Sequence, residues 1–169
     1  MQIDKENKDT IKFHEDEPYP QAVAKQVDES VVFNFPEGVP AFEDSKRFHI
    51  VMNDNVKPFI YLQSLDIESL GFVCIDPFLV NKDYLVSLPA KDMSILGLKD
   101  PGNAMVLCTV TVDADPKKIT ANLRAPMIIN MVNSVGRQVI LDEGDNDVKF
   151  RIWEAIESLN DNVVVEIEG

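Results

Sequence analysis

Residues 104–112 read AMVLCTVTV and give the clearest strand signal in the 169-residue chain. Branched aliphatic side chains and threonine favour extended backbone, and the run has the length of a buried strand. Similar short runs occur on both sides of it at spacings near ten residues, with turn residues between them. This pattern predicts a mainly β fold, namely a small antiparallel β-barrel-like single domain with one or two short helices.

The other predicted strands share a short apolar or alternating pattern. They lie at residues 31–35, 47–52, 58–64, 71–75, 84–88, 138–141 and 148–153. The acidic, glycine-containing turn DEGDND between the last two predicts a hairpin. The helical signals are weak, and the candidates for the one or two short helices are residues 92–98, the segment after the Asp115-Pro116 pair, and residues 154–159.

The chain divides into three predicted parts. Residues 1–30 are acidic and lack a repeating pattern, which predicts a loosely ordered N-terminal segment with one edge strand near Thr10–His14. Residues 31–160 form the predicted barrel-like domain, and residues 161–169 are predicted to be an acidic C-terminal tail.

The charge balance is unusual, because 16 basic residues face 29 acidic ones and leave a formal net charge of −13. Such a chain repels phosphate backbones and anionic lipid, so neither nucleic acid nor a membrane is expected as a direct partner. Basic proteins, including those that bind RNA or DNA, are attracted instead. The alternative is that the acidity only keeps the protein soluble.

Cysteine usage and the N-terminal sequence predict a soluble cytoplasmic protein. Cys74 and Cys108 each lie in an apolar run typical of reduced core cysteines. The first 18 residues contain no apolar run resembling a signal peptide. No stretch reaches the ~20 apolar residues of a membrane-spanning helix.

Reactive residue types do not converge on a catalytic pattern. His14 and His49 are far apart, and the acids at 142–147 do not fit a calcium loop, so solvated turn acids are favoured there. Asp76 is the best-placed single acid, although an Asp before Pro is more often a turn residue. No catalytic, cofactor-binding or metal-binding residue is therefore predicted.

Two segments could contact other proteins. In FPEGVPAFED at 35–44, the two prolines and Gly38 suit a stiff corner between strands, and a docking role for Phe42 stays open. In NLRAP at 122–126, Leu123 is either part of a loop that leads into a buried strand beginning at Pro126 or an exposed apolar anchor.

Five segments, taken in order, resemble the FliW family of flagellar assembly factors. They are FPEGVPAFED at 35–44, PFIYLQS at 58–64, GFVCIDPF at 71–78 followed by Tyr84, NLRAPMIIN at 122–130 and GRQVIL at 136–141. The matching motif residues are Phe35, Pro36, Gly38, Pro40, Gln63, Asp76, Pro77 and Gln138. Ala41 departs from the family pattern, which has glycine there, so a left-handed backbone at this position would be costly.

The resemblance implies a non-catalytic binding protein with no cofactor. Its implied partners are flagellin and the translational repressor CsrA, which the factor would bind in turn as flagellin is exported. For flagellin, the hypothesis is an apolar patch of partner-binding residues formed by Phe42, Tyr61, Asn122, Leu123 and Pro126. The free protein is expected to be a monomer. Two alternatives remain open: a flagellin chaperone without a regulatory partner, and a small flavin-binding split-barrel enzyme.

Overall fold

The computed structural model describes residues 10–12, 31–142 and 146–168, so most of the predicted N-terminal segment lies outside the described residues. The strands are β1 (Thr10–Lys12), β2 (Phe33–Asn34), β3 (Arg47–Val51), β4 (Ile60–Ser64), β5 (Gly71–Ile75), β6 (Leu85–Ser87), β7 (Ala104–Thr111), β8 (Thr120–Ala121), β9 (Met127–Asn130), β10 (Val135–Gln138) and β11 (Phe150–Arg151). The α-helices are α1 (Pro77–Val80), α2 (Ala90–Leu96) and α3 (Trp153–Glu168).

Seven strands close into a ring in the order β7-β5-β4-β3-β2-β10-β9, and β9 pairs with β7 to complete it. Neighbouring strands are antiparallel except for β2 and β10, which are parallel. Strands β8 and β11 continue the sheet outward from β7. The predicted barrel-like β fold is therefore confirmed.

Two hydrophobic clusters lie on opposite sides of the barrel wall. The inner cluster fills the barrel and contains Phe33, Phe35, Val39, Phe48, Ile50, Ile60, Leu62, Cys74, Met105, Leu107, Met127 and Ile129. The outer cluster lies between β5, β7 and β9 and the helices. Strand β7 serves both, because Met105 and Leu107 face inward while Val106 and Cys108 face outward. This is why the run at 104–112 is apolar at nearly every position.

Aspartate–proline pairs begin three of the helical turns, at Asp76-Pro77, Asp100-Pro101 and Asp115-Pro116. Asp76 caps α1 through Phe78 N–H, with Pro77 at the first helical position. Asp115 caps a 3-10 turn at Pro116–Lys118 through Lys117 N–H, so the helical signal there yields a single turn. Helix α3 runs to Glu168 and includes residues that the sequence assigned to a tail. Of the helices in the described ranges, none has the length and apolar character that a membrane crossing requires.

The predicted hairpin between residues 138–141 and 148–153 is wrong. Strand β10 covers Val135–Gln138 and pairs with β9 and β2, whereas β11 pairs with β8. Local turn chemistry signals a reversal of the chain but does not choose the strand that follows as the partner. The edge strand predicted near Thr10 is present as β1 and pairs with β6.

Candidate protein-binding surfaces

The segment at 35–44 forms a compact corner between β2 and β3. Three successive turns are closed by backbone hydrogen bonds, from Gly38 N–H to Phe35 O, from Phe42 N–H to Val39 O and from Ser45 N–H to Phe42 O. Phe35 is fully buried and packs edge-to-face on Phe48 with ring centroids 5.1 Å apart. This geometry agrees with the predicted stiff corner.

Two residues of the corner have left-handed backbone. Gly38 has φ +68°, and a Cβ there would lie 2.7 Å from the backbone Cα and O of Glu43. Ala41 has φ 72°, the conformation for which the family pattern has glycine. An L-residue in this region is strained by contact between Cβ and the backbone.

Replacing Ala41 with glycine is expected to stabilise the protein by about 0.5–1 kcal/mol, because relief of strain exceeds the entropy lost on ordering glycine. Urea denaturation measures the change. The matched control is Gly38→Ala, which is expected to destabilise because the new Cβ meets backbone atoms. A lower unfolding free energy for Ala41→Gly would show that the alanine is not strained.

The turn between β4 and β5 contacts the chain just after the corner, where β3 begins. Gln63 Nε2 donates to Glu68 O at 3.0 Å and to Leu70 O at 2.8 Å, which fixes the turn at 65–70. Asp66 accepts from the backbone N–H groups of Lys46 and Arg47, and these bonds lower the pKa of its carboxyl group. The motif residue Gln63 therefore has a structural role.

A groove of about 430 Å³ opens between the corner, helix α2 and the end of β10. Its lining residues are Glu37, Gly38, Pro40, Glu43, Lys91, Asp92, Arg137, Gln138, Val139 and Ile140. Ile140 is 61% exposed and gives the groove an apolar wall beside its charged rim. Because three acids and two bases line it, the groove combines a slight negative charge with an accessible aliphatic side chain.

Arg137 joins the three sides of the groove. Its Nη1 pairs with the Glu37 carboxylate of the corner, and its Nε lies 2.8 Å from Asp92 Oδ1 on α2. The contact between Arg137 Nε and Asp92 is an ion pair only, because its angles are not those of a hydrogen bond. The carboxylates of Glu37 and Asp92 therefore both pair with Arg137 and connect the sides of the groove. Together these three side chains carry a net charge of −1.

Phe42 and Tyr61 are both exposed but lie on different sides of the barrel wall. Phe42 packs edge-to-face on Phe72 with centroids 5.7 Å apart, next to the inner cluster. Tyr61 points outward, because its strand neighbours Ile60 and Leu62 belong to the inner cluster. It lies in register with Val51 on β3 and Val73 on β5, so these three residues form an apolar row on the outer face.

The prediction that Leu123 lies in an exposed apolar patch is wrong, because Leu123 is only 1% exposed and belongs to the outer cluster. Pro126, immediately before β9, is also buried. Asn122 Oδ1 accepts from the N–H groups of Arg124 and Ala125, which folds the segment back onto the barrel. The patch therefore does not form, and of its residues only Phe42 and Tyr61 are exposed.

This segment is held in place by Tyr84 and by the motif residue Gln138. Tyr84 Oη donates to Leu123 O at 2.6 Å, and Gln138 Nε2 donates to Ala125 O at 3.0 Å. The alternation of Ile119, Ala121 and Leu123, all buried, is the period-two signal that could have revealed the burial from sequence.

Among the described residues, the titratable groups with large pKa shifts are buried and do not line the groove. Burial raises the pKa of Asp76 to about 7, although the hydrogen bond from Phe78 N–H opposes this shift. Burial also raises the pKa of Tyr84 and of Cys108. Within the described ranges, no group of three or more His, Cys, Asp or Glu side chains could hold a metal ion.

The chain is similar in sequence to proteins of a known family. The model of the "FliW protein" family matches residues 21–152. A flagellar assembly factor FliW of Clostridium botulinum (strain Alaska E43 / Type E3) is 38% identical over 129 residues, which cover 76% of this chain and 92% of that protein. The chain belongs to the FliW family. A second relative of the same name, from Clostridium tetani, is 37% identical over 127 residues, covering 75% of this chain and 88% of that protein.

A solved structure of a FliW protein supports the fold. The crystal structure of the flagellar assembly factor FliW superposes with a TM-score of 0.70 at 31% identity, covering 76% of this chain and 89% of that one. In this FliW chain, the first and last of the five sequence motifs meet, because Gly38, Pro40 and Gln138 all line the groove. The sequence did not reveal this meeting, since it joins segments about a hundred residues apart.

Proposed function

We propose that this FliW protein is a non-catalytic flagellar assembly factor that binds flagellin in the cytoplasm and antagonises the RNA-binding repressor CsrA. Flagellin would occupy the factor until it is exported, and the freed factor would then capture CsrA and relieve repression of flagellin synthesis. The observation that carries the proposal is membership of a family of flagellar assembly factors across most of the chain.

Electrostatics favour a basic protein partner. The chain carries a formal charge of −13, and a repressor that binds RNA presents basic surface to it. The groove suits such a partner because its net acidic rim surrounds the exposed aliphatic side chain of Ile140. We therefore assign the CsrA contact to the groove.

A binding role without catalysis agrees with the arrangement of the titratable groups. The buried Asp76, Tyr84 and Cys108 lie in the outer cluster or at its edge, away from the groove. Four of the groove's charged groups make contacts within the protein: Arg137 pairs with Glu37 and Asp92, and Glu43 accepts from Ala41 N–H at 3.1 Å.

The affinity for CsrA is expected to fall about ten-fold or more between 50 and 500 mM salt, because screening weakens contacts between opposite charges. Fluorescence titration at a series of salt concentrations measures this. Nearly constant affinity across the range would contradict a charge-driven contact.

Placing a positive charge in the groove with Ile140→Arg is expected to weaken CsrA binding about ten-fold while the unfolding free energy stays within about 0.5 kcal/mol of wild type. The matched control is Val112→Arg, because Val112 is 63% exposed and lies outside the groove. Isothermal titration of both variants measures the difference. Equal affinities for CsrA would place the contact elsewhere.

A titration with flagellin beside the titration with CsrA separates the proposal from the alternative of a flagellin chaperone without a regulatory partner. Binding of flagellin together with no binding of CsrA would select the chaperone. Absence of both interactions would overturn the proposed function.

A further inference from the structure

The charged side chains of the groove differ in whether they are paired. The carboxylates of Glu37 and Asp92 both pair with Arg137. Glu43 and Lys91, which also line the groove, form no ion pair with any described residue. Glu43 lies on the corner and Lys91 on helix α2. The unpaired charges of the groove are therefore a negative one on the corner and a positive one on the helix.

The carboxylate of Glu43 is oriented by its own chain segment. Its Oε1 accepts from Ala41 N–H at 3.1 Å, and its backbone packs against Gly38, where a Cβ would lie 2.7 Å from Glu43 Cα. An ionised carboxylate accepts several hydrogen bonds, so this contact leaves Glu43 able to accept from a partner. Because an oriented group loses less freedom on binding, a specific contact is favoured at this position.

Ile140 gives the groove an aliphatic surface in a fixed place. Its side chain is 61% exposed, whereas Val139 and Leu141 on either side of it are buried. Val139 N–H donates to Pro126 O at 2.9 Å. Leu141 N–H donates to Arg124 O at 2.8 Å. The backbone is therefore held on both sides of Ile140, and its side chain faces away from the core.

A side chain that suits both Glu43 and Ile140 combines an aliphatic part with a positive charge. A purely apolar side chain would take water from the Glu43 carboxylate without replacing its hydrogen bonds, and an acidic one would be repelled. Lysine and arginine have a long aliphatic stem and a charged head. Lys91 repels such a head from the side of α2, so the corner is the favourable side.

We propose that the groove binds one lysine or arginine side chain of CsrA, with its aliphatic stem on Ile140 and its charged head on Glu43. Glu43 is then the residue that determines specificity, while Arg137 keeps the carboxylates of Glu37 and Asp92 in the walls. This inference rests on the proposed function, because it takes CsrA as the occupant of the groove.

Two variants with the same change in net charge test the role of Glu43. Glu43→Gln keeps an oxygen that can accept from Ala41 N–H and is expected to weaken CsrA binding at least about five-fold. The matched control is Asp44→Asn, because Asp44 is the next residue, is exposed and does not line the groove. At about 150 mM salt, its affinity for CsrA is expected to stay within about two-fold of wild type. Isothermal titration measures both. Equal affinities of the two variants for CsrA would overturn the proposed contact.

A double-mutant cycle identifies the basic side chain on the partner. Each lysine and arginine of CsrA is changed in turn to methionine, which keeps an aliphatic stem and removes the charge, and each variant is titrated against wild type and Glu43→Gln. One CsrA variant is expected to lose about five-fold in affinity for wild type and little for Glu43→Gln. Additive losses for every CsrA variant would overturn the inference. Failure of the wild-type protein to bind CsrA at all would instead overturn the proposed function.

Discussion

Leu123→Ala is expected to lower the free energy of unfolding by about 3 kcal/mol, because the side chain is buried in the outer cluster and its removal leaves a cavity. Urea denaturation followed by circular dichroism measures the loss as a lower midpoint at an unchanged slope. The neighbouring Arg124→Ala is the control, since Arg124 is exposed and its replacement is expected to change stability by less than about 0.5 kcal/mol.

The more severe Leu123→Asp is expected to unfold the protein, because it places a carboxylate without a partner among aliphatic side chains. This variant separates a core role of the NLRAP motif from a binding role. A folded Leu123→Asp protein that fails to bind flagellin would restore the exposed patch and contradict the burial described above.

Asp76→Asn is expected to change how stability depends on pH. The folded-state pKa of Asp76, about 7, lies above its ordinary value of 3.8, because the carboxyl group is buried; among the described residues, its Oδ2 has no hydrogen-bond partner. The folded protein therefore holds the proton more tightly than the unfolded chain. The resulting stabilisation is complete below about pH 4 and is lost as the pH rises through about 7.

Asparagine keeps an oxygen that can accept from Phe78 N–H but cannot ionise. The variant is therefore expected to be about 2–4 kcal/mol more stable than wild type at pH 8, with the difference shrinking toward pH 5. Thermal or urea unfolding across pH 5–8 measures this. Asp115→Asn is the matched control, because Asp115 caps a proline turn in the same way but is exposed. A stability difference for Asp76→Asn that does not change with pH would show that Asp76 is ionised throughout the range.

The fold class was predictable from the sequence because most strands are short runs separated by strong turn signals. Residues 47–52, 58–64, 71–75 and 104–112 contain β3, β4, β5 and β7. The closure of the ring was not predictable, since it depends on the pairings of β7 with β9 and of β2 with β10. These pairings join distant segments, and neither periodicity nor turn chemistry specifies them.

The candidate site shows the same limit. The motif at 35–44 was correctly interpreted as a corner, because proline and glycine restrict the backbone locally. The groove depends on Arg137 reaching Glu37, one hundred positions away, and Asp92 on a separate helix. Such ion pairs leave no local pattern in a single sequence.

The most direct test of the central claim is an exchange experiment with the purified protein, its CsrA and its flagellin. Labelled CsrA is first bound to the protein, and flagellin is then titrated in while fluorescence anisotropy reports free CsrA. The proposed partner switch predicts that both proteins bind and that stoichiometric flagellin releases CsrA. Absence of CsrA binding, or a complex that flagellin leaves unchanged at saturation, would contradict it.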